Sequence, residues 1–174
     1  MTIYSQSNKG FTVIELFIVI ALLGLLAVTA LPKFSYVSKV TQKNSANATA
    51  AILQTAINNA HTHWQATGHS AIVTLEDNTH VGMSITGWPE CIAANSCKDA
   101  GMATAEKCHD IWAQIMINPP LAKAAPCLGI CQYLITANHT SCNFQDEQGK
   151  GNNTIIYNMM TGDITVASKN SHLF

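Results

Sequence analysis

The sequence contains no arginine: all nine of its basic residues are lysine, and the net charge is −1. Arginine recognises phosphate and guanine through two parallel hydrogen bonds, and a nucleic-acid surface needs an excess of basic residues. Charged residues make up only 11% of the chain. The composition therefore argues against nucleic acid as a partner.

Motifs of metal binding and of catalysis are also missing. The sequence has no Cys-x2-Cys and no Gly-x-Ser-x-Gly. His61 and His63 are two residues apart and would not share a helical face, and the adjacent Cys108 and His109 would point apart on a helix. The sequence therefore predicts no metal site, no cofactor and no enzymatic activity, and the tryptophans are expected to anchor the core or loops.

Cysteine is absent from the first 90 residues, and six cysteines follow. An even number in a small domain, downstream of an apolar run, is typical of a disulfide framework in an oxidising compartment; buried free thiols of a cytosolic protein are the alternative. Six cysteines allow 15 pairings. We predict Cys131–Cys142, which flank a predicted hairpin; Cys91 could pair with any of three others: Cys97, Cys108 and Cys127.

The stretch from Phe11 to Leu31 is 21 residues long and carries one charge, Glu15. As a helix it would extend about 31 Å, enough to cross the hydrocarbon core of a bilayer. Three interpretations are open. It could be a plain membrane anchor, a secretory signal with small residues at 28–30 near its cleavage point, or a segment in which the Gly10-Phe11 junction and Glu15 act together.

The segment KGFTVIELFIVIALLGLLAVTALPKF resembles the N-terminus of the type IV pilin family. That family has a short leader ending in Gly, then Phe-Thr-x-x-Glu, then an apolar helix. This chain has Gly10, Phe11, Thr12 and Glu15 at the matching positions. The resemblance implies that a prepilin peptidase cleaves between Gly10 and Phe11, which removes residues 1–10 as a leader. The same enzyme would then methylate the new amino group of Phe11.

The resemblance also implies roles for three residues inside the run. Glu15 is expected to neutralise the Phe11 amine of an adjacent subunit in a filament core. Gly24 and Pro32 fall where such subunits often have helix breakers, and both disfavour a helix interior. We expect residues 24–32 to lose helical structure on assembly; an ordinary proline kink at the membrane surface is the alternative.

Beyond the apolar run, the pattern predicts one further stretch of helix and then a mixed region. No Gly or Pro occurs from residue 33 to 67, and Leu53, Ile57, Ala60 and Trp64 share one helical face. Strands are predicted at 71–75, 81–85 and 131–137, and a pair of strands within 154–168 has its turn at 161–163. A helix is predicted at 104–118 and a loop at 87–101.

The predicted fold class is α+β: a long N-terminal helix, forming a hydrophobic stalk, packed on an antiparallel β-sheet head as in type IV pilins. The predicted organisation is a cleaved leader (1–10), a long helix (11–68, with 11–31 as transmembrane segment or filament core) and a disulfide-bonded head (69–174). Short segments, AVTALPKF, GWP, IW and TGDI, are similar to pilins of the mannose-sensitive haemagglutinin type.

These features together imply a structural prepilin of a bacterial type IV pilus used for surface attachment. Its expected partners are the prepilin peptidase, other pilin subunits, the inner membrane before assembly and a surface ligand of unknown chemistry. Its expected final location is the extracellular pilus, or fimbrium. The alternatives are a secreted or membrane-anchored disulfide-rich binding domain and a type II secretion pseudopilin.

Overall fold

The computed structural model describes residues 12–92, 97, 101–127, 129–148 and 153–168, without the side chains of residues 28–40 and 42. The chain divides into two compact units, Met1–Val40 and Thr41–Phe174. Each unit is described by itself below.

Helix α1 extends over Val13–Ala66 and belongs to the first unit up to Val40 and to the second from Thr41. It begins with half of a capping box, because the Glu15 carboxylate accepts hydrogen bonds from the Thr12 N–H (3.4 Å) and hydroxyl (3.3 Å). The backbone is helical through Gly24 and Pro32. The break expected between these residues was predicted for an assembled filament, and it stays a prediction.

The end of α1 confirms the predicted stop at Thr67-Gly68. Gly68 has a φ of 76°, and the His69 N–H donates to the Trp64 carbonyl at 3.0 Å. This bond and the left-handed glycine form a Schellman motif, which gives the last helical carbonyls a partner.

The second unit contains two sheets. The first is antiparallel, in the order β1-β2-β3, and the second has the order β4-β5-β6-β7-β8 with a parallel β4–β5 pair and antiparallel pairs elsewhere. Helix α2, Ala105–Ile115, lies between β3 and β4 in the chain. The strands are β1 Ile72–Thr74, β2 His80–Met83, β3 Pro89–Ile92, β4 Ala122–Ala124, β5 Tyr133–Asn138, β6 Ser141–Asp146, β7 Asn153–Asn158 and β8 Ile164–Ser168.

One hydrophobic core joins these elements of the second unit. Leu53, Ile57 and Ala60 of α1 are fully buried, as their spacing predicted, whereas Trp64 is only partly buried. Large buried side chains also come from both sheets and from α2; those of α2 and the five-stranded sheet include Ile111, Trp112, Ile135, Phe144, Ile155 and Tyr157. Each such apolar side chain contributes about 1.5–3 kcal/mol on burial, so the second unit has its own source of stability.

The fold class predicted from the sequence is wrong. Within the described residues, no helix is both long enough and apolar enough to cross a membrane, so the hydrophobic stalk expected at residues 11–31 is not supported. The head is not built on a single antiparallel sheet either, because it has two sheets, of which the larger contains a parallel pair.

Individual elements were predicted unevenly. The strands near 72 and 81, the helix beginning after Thr104 and the pair around residues 161–163 are present. Thr104 caps α2 as expected, since its side chain accepts from the Lys107 N–H at 3.2 Å. The loop predicted at 87–101 was wrong in part, because Pro89–Ile92 is a strand, and β4 was missed.

Candidate functional site

The first turns of α1 expose apolar side chains on every side of the helix. The exposed fraction of the large apolar side chains between Val13 and Leu26 runs from 42% at Val19 to 73% at Val13. Soluble monomers rarely expose contiguous apolar surface of this kind, and where it occurs it marks a site of interaction. We call residues 13–26 the apolar segment.

Glu15 is the only charged residue of the apolar segment. Its carboxylate contacts Thr12 of its own chain, so a local partner exists for part of its hydrogen-bonding capacity. Residues Gly10 and Phe11, predicted as the processing and methylation site, lie outside the described residues. The predicted contact between Glu15 and a neighbouring Phe11 amine is therefore untested.

The six cysteines form three disulfides: Cys91–Cys97, Cys108–Cys142 and Cys127–Cys131. The predicted disulfide framework is thus confirmed, but the predicted Cys131–Cys142 pair is wrong. Cys142 faces the core from β6, where the buried Cys108 of α2 meets it. Cys131 precedes β5 and pairs with Cys127 four residues earlier, closing a small loop.

A buried ion pair holds the chain before α2. The Lys107 ammonium lies 3.5 Å from the Glu90 carboxylate, and both side chains are less than a tenth exposed. Lys107 also donates to the Met102 carbonyl at 3.1 Å, and the Gly101 N–H donates to Glu90. These bonds supply the partners that buried charges require, so we interpret the pair as structural.

Four rings stack at the end of α1. In order they are Trp88, His61, Trp64 and His69, with centroid separations of 3.9, 5.4 and 4.2 Å. His61 Nδ1 faces the Gly87 carbonyl and therefore donates to it, while Nε2 accepts from Gln65 at 2.9 Å. A Cβ on Gly87 would overlap the Trp64 ring. The two tryptophan rings are half-buried between histidine rings and the backbone of Gly87 and Gly162, so they anchor loops as predicted, whereas His69 at the end of the stack is exposed.

Two tyrosines have raised pKa values. Burial raises the pKa of Tyr157 well above 10.0, and the nearby Glu90 charge adds to the effect. Burial also raises the pKa of Tyr133, although the hydrogen bond with Thr49 opposes the shift. The Tyr157 hydroxyl donates to the Pro89 carbonyl at 2.7 Å. Both tyrosines are buried and form part of the core of the second unit.

The described residues contain no group of three or more His, Cys, Asp and Glu side chains that could hold a metal ion. The sequence could have revealed one feature that was missed: Thr12-x-x-Glu15 matches the capping-box pattern, which marks a helix start. The ring stack had no comparable signal, because it joins α1 to the chain before β3 across more than 20 residues.

No protein-family model, no curated protein and no solved structure matches this chain. The resemblance to type IV pilins therefore depends on the residues of the N-terminal segment and on the short segments named in the sequence analysis.

Proposed function

We propose that the chain is a structural subunit of an extracellular filament of the type IV pilus kind, with a role in surface attachment and no catalytic activity. The apolar segment carries this proposal. Its side chains are exposed around the whole helix, and burial of apolar surface is worth about 25 cal/mol per Å². Copies of one segment could cover each other, which gives self-assembly a driving force.

Processing would prepare that assembly. Cleavage by a prepilin peptidase between Gly10 and Phe11 would create an amino group four residues before Glu15. In the apolar interior of a filament, a carboxylate and an amine each need a partner, because an unpaired buried charge costs roughly 3–5 kcal/mol. Glu15 of one copy and the methylated Phe11 amine of the next would supply these partners.

The three disulfides support a location in an oxidising compartment. In this proposal the chain is held at the inner membrane before assembly and is displayed outside the cell afterwards. The second unit would then be the displayed part, and a surface ligand would bind there.

A second candidate is a secreted or membrane-anchored disulfide-rich binding domain with an ordinary signal sequence. The three disulfides favour it, because small secreted domains are commonly stabilised by such a framework. A type II secretion pseudopilin is a further possibility within the assembly class, since it would use the same apolar segment.

Mass spectrometry of the mature N-terminus, on protein purified from cells that make it, separates these candidates. The filament proposal expects a chain that begins with N-methylated Phe11 and is recovered in sheared filaments. A chain that begins at Leu31, or one that retains Met1, would support the binding domain instead.

A further inference from the structure

The three disulfides of the second unit differ in how far their sulfur atoms are shielded from solvent. Cys108 and Cys142 are both fully buried, so the bond between them lies inside the core. Cys91 is only 3% exposed, and a Cβ on Gly82 of β2 would overlap the sulfurs of Cys91 and Cys97. The core therefore shields the first bond from a thiol in solution, and the backbone of β2 covers one side of the second.

The Cys127–Cys131 disulfide is shielded least. Both of its cysteines are partly exposed, and Ile130, which directly precedes Cys131, is 83% exposed. The two cysteines are only four positions apart in the sequence. In the chain-entropy account, closure of so short a loop removes little freedom from the unfolded chain. Folding therefore protects this bond against reduction less than it protects the other two.

A cation lies beside the same disulfide. The Cys127 sulfur is 3.5 Å from the carbonyl oxygen of Gly129, and a Cβ placed on Gly129 would lie 3.9 Å from the Lys123 ammonium. The sulfur and the ammonium thus lie against one glycine. Thiol–disulfide exchange is faster when the departing thiolate is a better leaving group, and a neighbouring lysine stabilises a thiolate. Lys123 is therefore placed to assist departure of the Cys127 sulfur.

We propose that Cys127–Cys131 is a site of thiol–disulfide exchange with a dithiol oxidoreductase, whereas the other two disulfides are structural. A thiolate of the oxidoreductase attacks the Cys131 sulfur and forms a mixed disulfide, while the Cys127 sulfur departs as a thiolate beside Lys123. The second thiolate of the oxidoreductase then attacks its own sulfur in the mixed disulfide, and the Cys131 sulfur departs. The dithiol is oxidised to a disulfide, two electrons pass to this chain, and each released sulfur takes up a proton.

Exposed apolar side chains near the attacked sulfur favour a protein as the reductant. Leu121 is 51% exposed, and its carbonyl accepts from the Gln132 and Tyr133 N–H groups at 2.8 and 3.1 Å, so it lies next to the chain that follows Cys131. Ile130 precedes the same cysteine. Covering these two side chains adds binding energy, which a protein can gain and a small thiol cannot.

Reduction at this site would loosen one edge of the five-stranded sheet and leave the core in place. Strand β4 is three residues long and lies at that edge, and the Cys127–Cys131 bond lies in its connection to β5. The Cys108–Cys142 bond would continue to join α2 to β6. We expect the reduced chain to stay folded, with faster hydrogen exchange confined to β4 and its connection to β5.

A trapping experiment tests the site and the direction of attack. The probe is thioredoxin whose second active-site cysteine is replaced by serine, so that the mixed disulfide forms but is not resolved. With the full oxidised chain, purified in detergent, we expect one covalent adduct, joined through Cys131 and identified by peptide mass spectrometry. No adduct, or an adduct at Cys97, would overturn the inference. An adduct at Cys127 would overturn the assigned direction of attack.

Graded reduction with dithiothreitol, followed by alkylation of free thiols, tests the selectivity. We expect Cys127 and Cys131 to be labelled at a dithiothreitol concentration about tenfold or more below the one that Cys108 and Cys142 require. Near-ultraviolet circular dichroism at the lower concentration checks that the chain is still folded. Labelling of all the cysteines together, as the chain unfolds, would contradict a separate site.

Two substitutions separate the chemistry from the binding. Lys123→Gln should slow reduction several-fold by both dithiothreitol and intact thioredoxin, because both reactions release the Cys127 thiolate, and Lys123→Arg should restore the rate. Ile130→Ser should slow reduction by thioredoxin alone, because only the protein contacts this side chain. Equal rates for Lys123→Gln and the unsubstituted chain would remove Lys123 from its proposed role, and an unchanged thioredoxin rate in Ile130→Ser would remove the apolar contact.

Discussion

Glu15 caps α1 and, as we propose, pairs with the Phe11 amine of a neighbouring copy, and these two roles have different requirements. Capping of α1 needs a side-chain oxygen that accepts from the Thr12 N–H, and either Glu or Gln supplies one. Pairing with the Phe11 amine of a neighbour needs a negative charge, which Gln does not carry. One substitution can therefore separate a local structural role from an intermolecular one.

We predict that Glu15→Gln reduces filament recovery as severely as Glu15→Ala, because both variants leave the neighbouring amine unpaired in an apolar environment. The measurement is the amount of the chain in sheared filaments. Cleavage after Gly10, followed by mass spectrometry, is the control and should be normal in both variants. Full assembly of the Gln variant with failure of the Ala variant would show that capping alone matters.

Tyr157 ties the stability of the second unit to alkaline pH. Its raised pKa means that the folded chain keeps a proton which the unfolded chain releases above pH 10.0. The contribution of Tyr157 to stability is therefore fully present below about pH 10 and is lost as the pH rises towards the folded pKa, by at most about 1.4 kcal/mol per pH unit. Tyr133 contributes in the same direction.

We predict that Tyr157→Phe removes more than half of the loss of stability between pH 10 and 11, because the pKa of Tyr157 is raised further than that of Tyr133. The substitution should also cost about 1 kcal/mol at pH 8, since the hydrogen bond to the Pro89 carbonyl is lost. Urea unfolding of the oxidised chain at each pH, followed by tryptophan fluorescence, measures both effects. If the variant loses as much stability between pH 10 and 11 as the unsubstituted chain does, Tyr157 does not cause that loss.

At the scale of elements, helix α2 is fastened by two different kinds of link. The Cys108–Cys142 disulfide joins it to β6 across a sequence separation of 34 residues, whereas Cys127–Cys131 spans four. In the chain-entropy account, a longer closed loop removes more freedom from the unfolded state. The buried ion pair of Lys107 and Glu90 then fixes the start of α2 against β3.

We predict that replacing Cys108 and Cys142 with Ala lowers the free energy of unfolding by about 4 kcal/mol, and that replacing Cys127 and Cys131 lowers it by about 2 kcal/mol. The second pair is the matched control, because it removes the same atoms from a partly exposed site. Denaturant unfolding of the two variants gives the comparison. Equal losses would contradict a dependence on loop length.

The sequence predicted those elements that have a local signal. The strand pair around the turn at 161–163 and the capped helix after Thr104 carry their periodicity and end residues within a few positions. Strand β3 lacks such a signal: Pro89 and Cys91 resemble a loop, and only pairing with β2 makes the segment a strand. The parallel strand β4 is three residues long and likewise depends on its neighbour.

Disulfide pairing depends on contacts between residues that are distant in the sequence. Cys142 pairs with Cys108 because α2 packs on β6, and no spacing between the cysteines reveals that packing. For the apolar segment the opposite holds, since its composition and the Thr12-x-x-Glu15 pattern are readable directly. The sequence could therefore suggest the proposed assembly surface more readily than the fold of the second unit.

At the scale of the whole molecule, stability and association belong to different parts of the chain. Among the side chains that the structure describes, the buried residues of the core all lie at Ala46 or beyond, while the apolar segment lies in the first unit. Removing residues 1–40 therefore deletes none of these core side chains. It does create a new helix end, and an uncapped end costs about 1 kcal/mol.

We predict that residues 41–174, produced in an oxidising compartment, fold with three disulfides and remain monomeric, whereas the chain from Phe11 to Phe174 associates. The fragment keeps the core but lacks the apolar segment that, as we propose, drives association. Near-ultraviolet circular dichroism checks its folding, and sedimentation equilibrium gives both masses under the same conditions. A folded fragment that associates as strongly as the longer chain would place the contact between copies within the second unit and would remove the apolar segment from its proposed role.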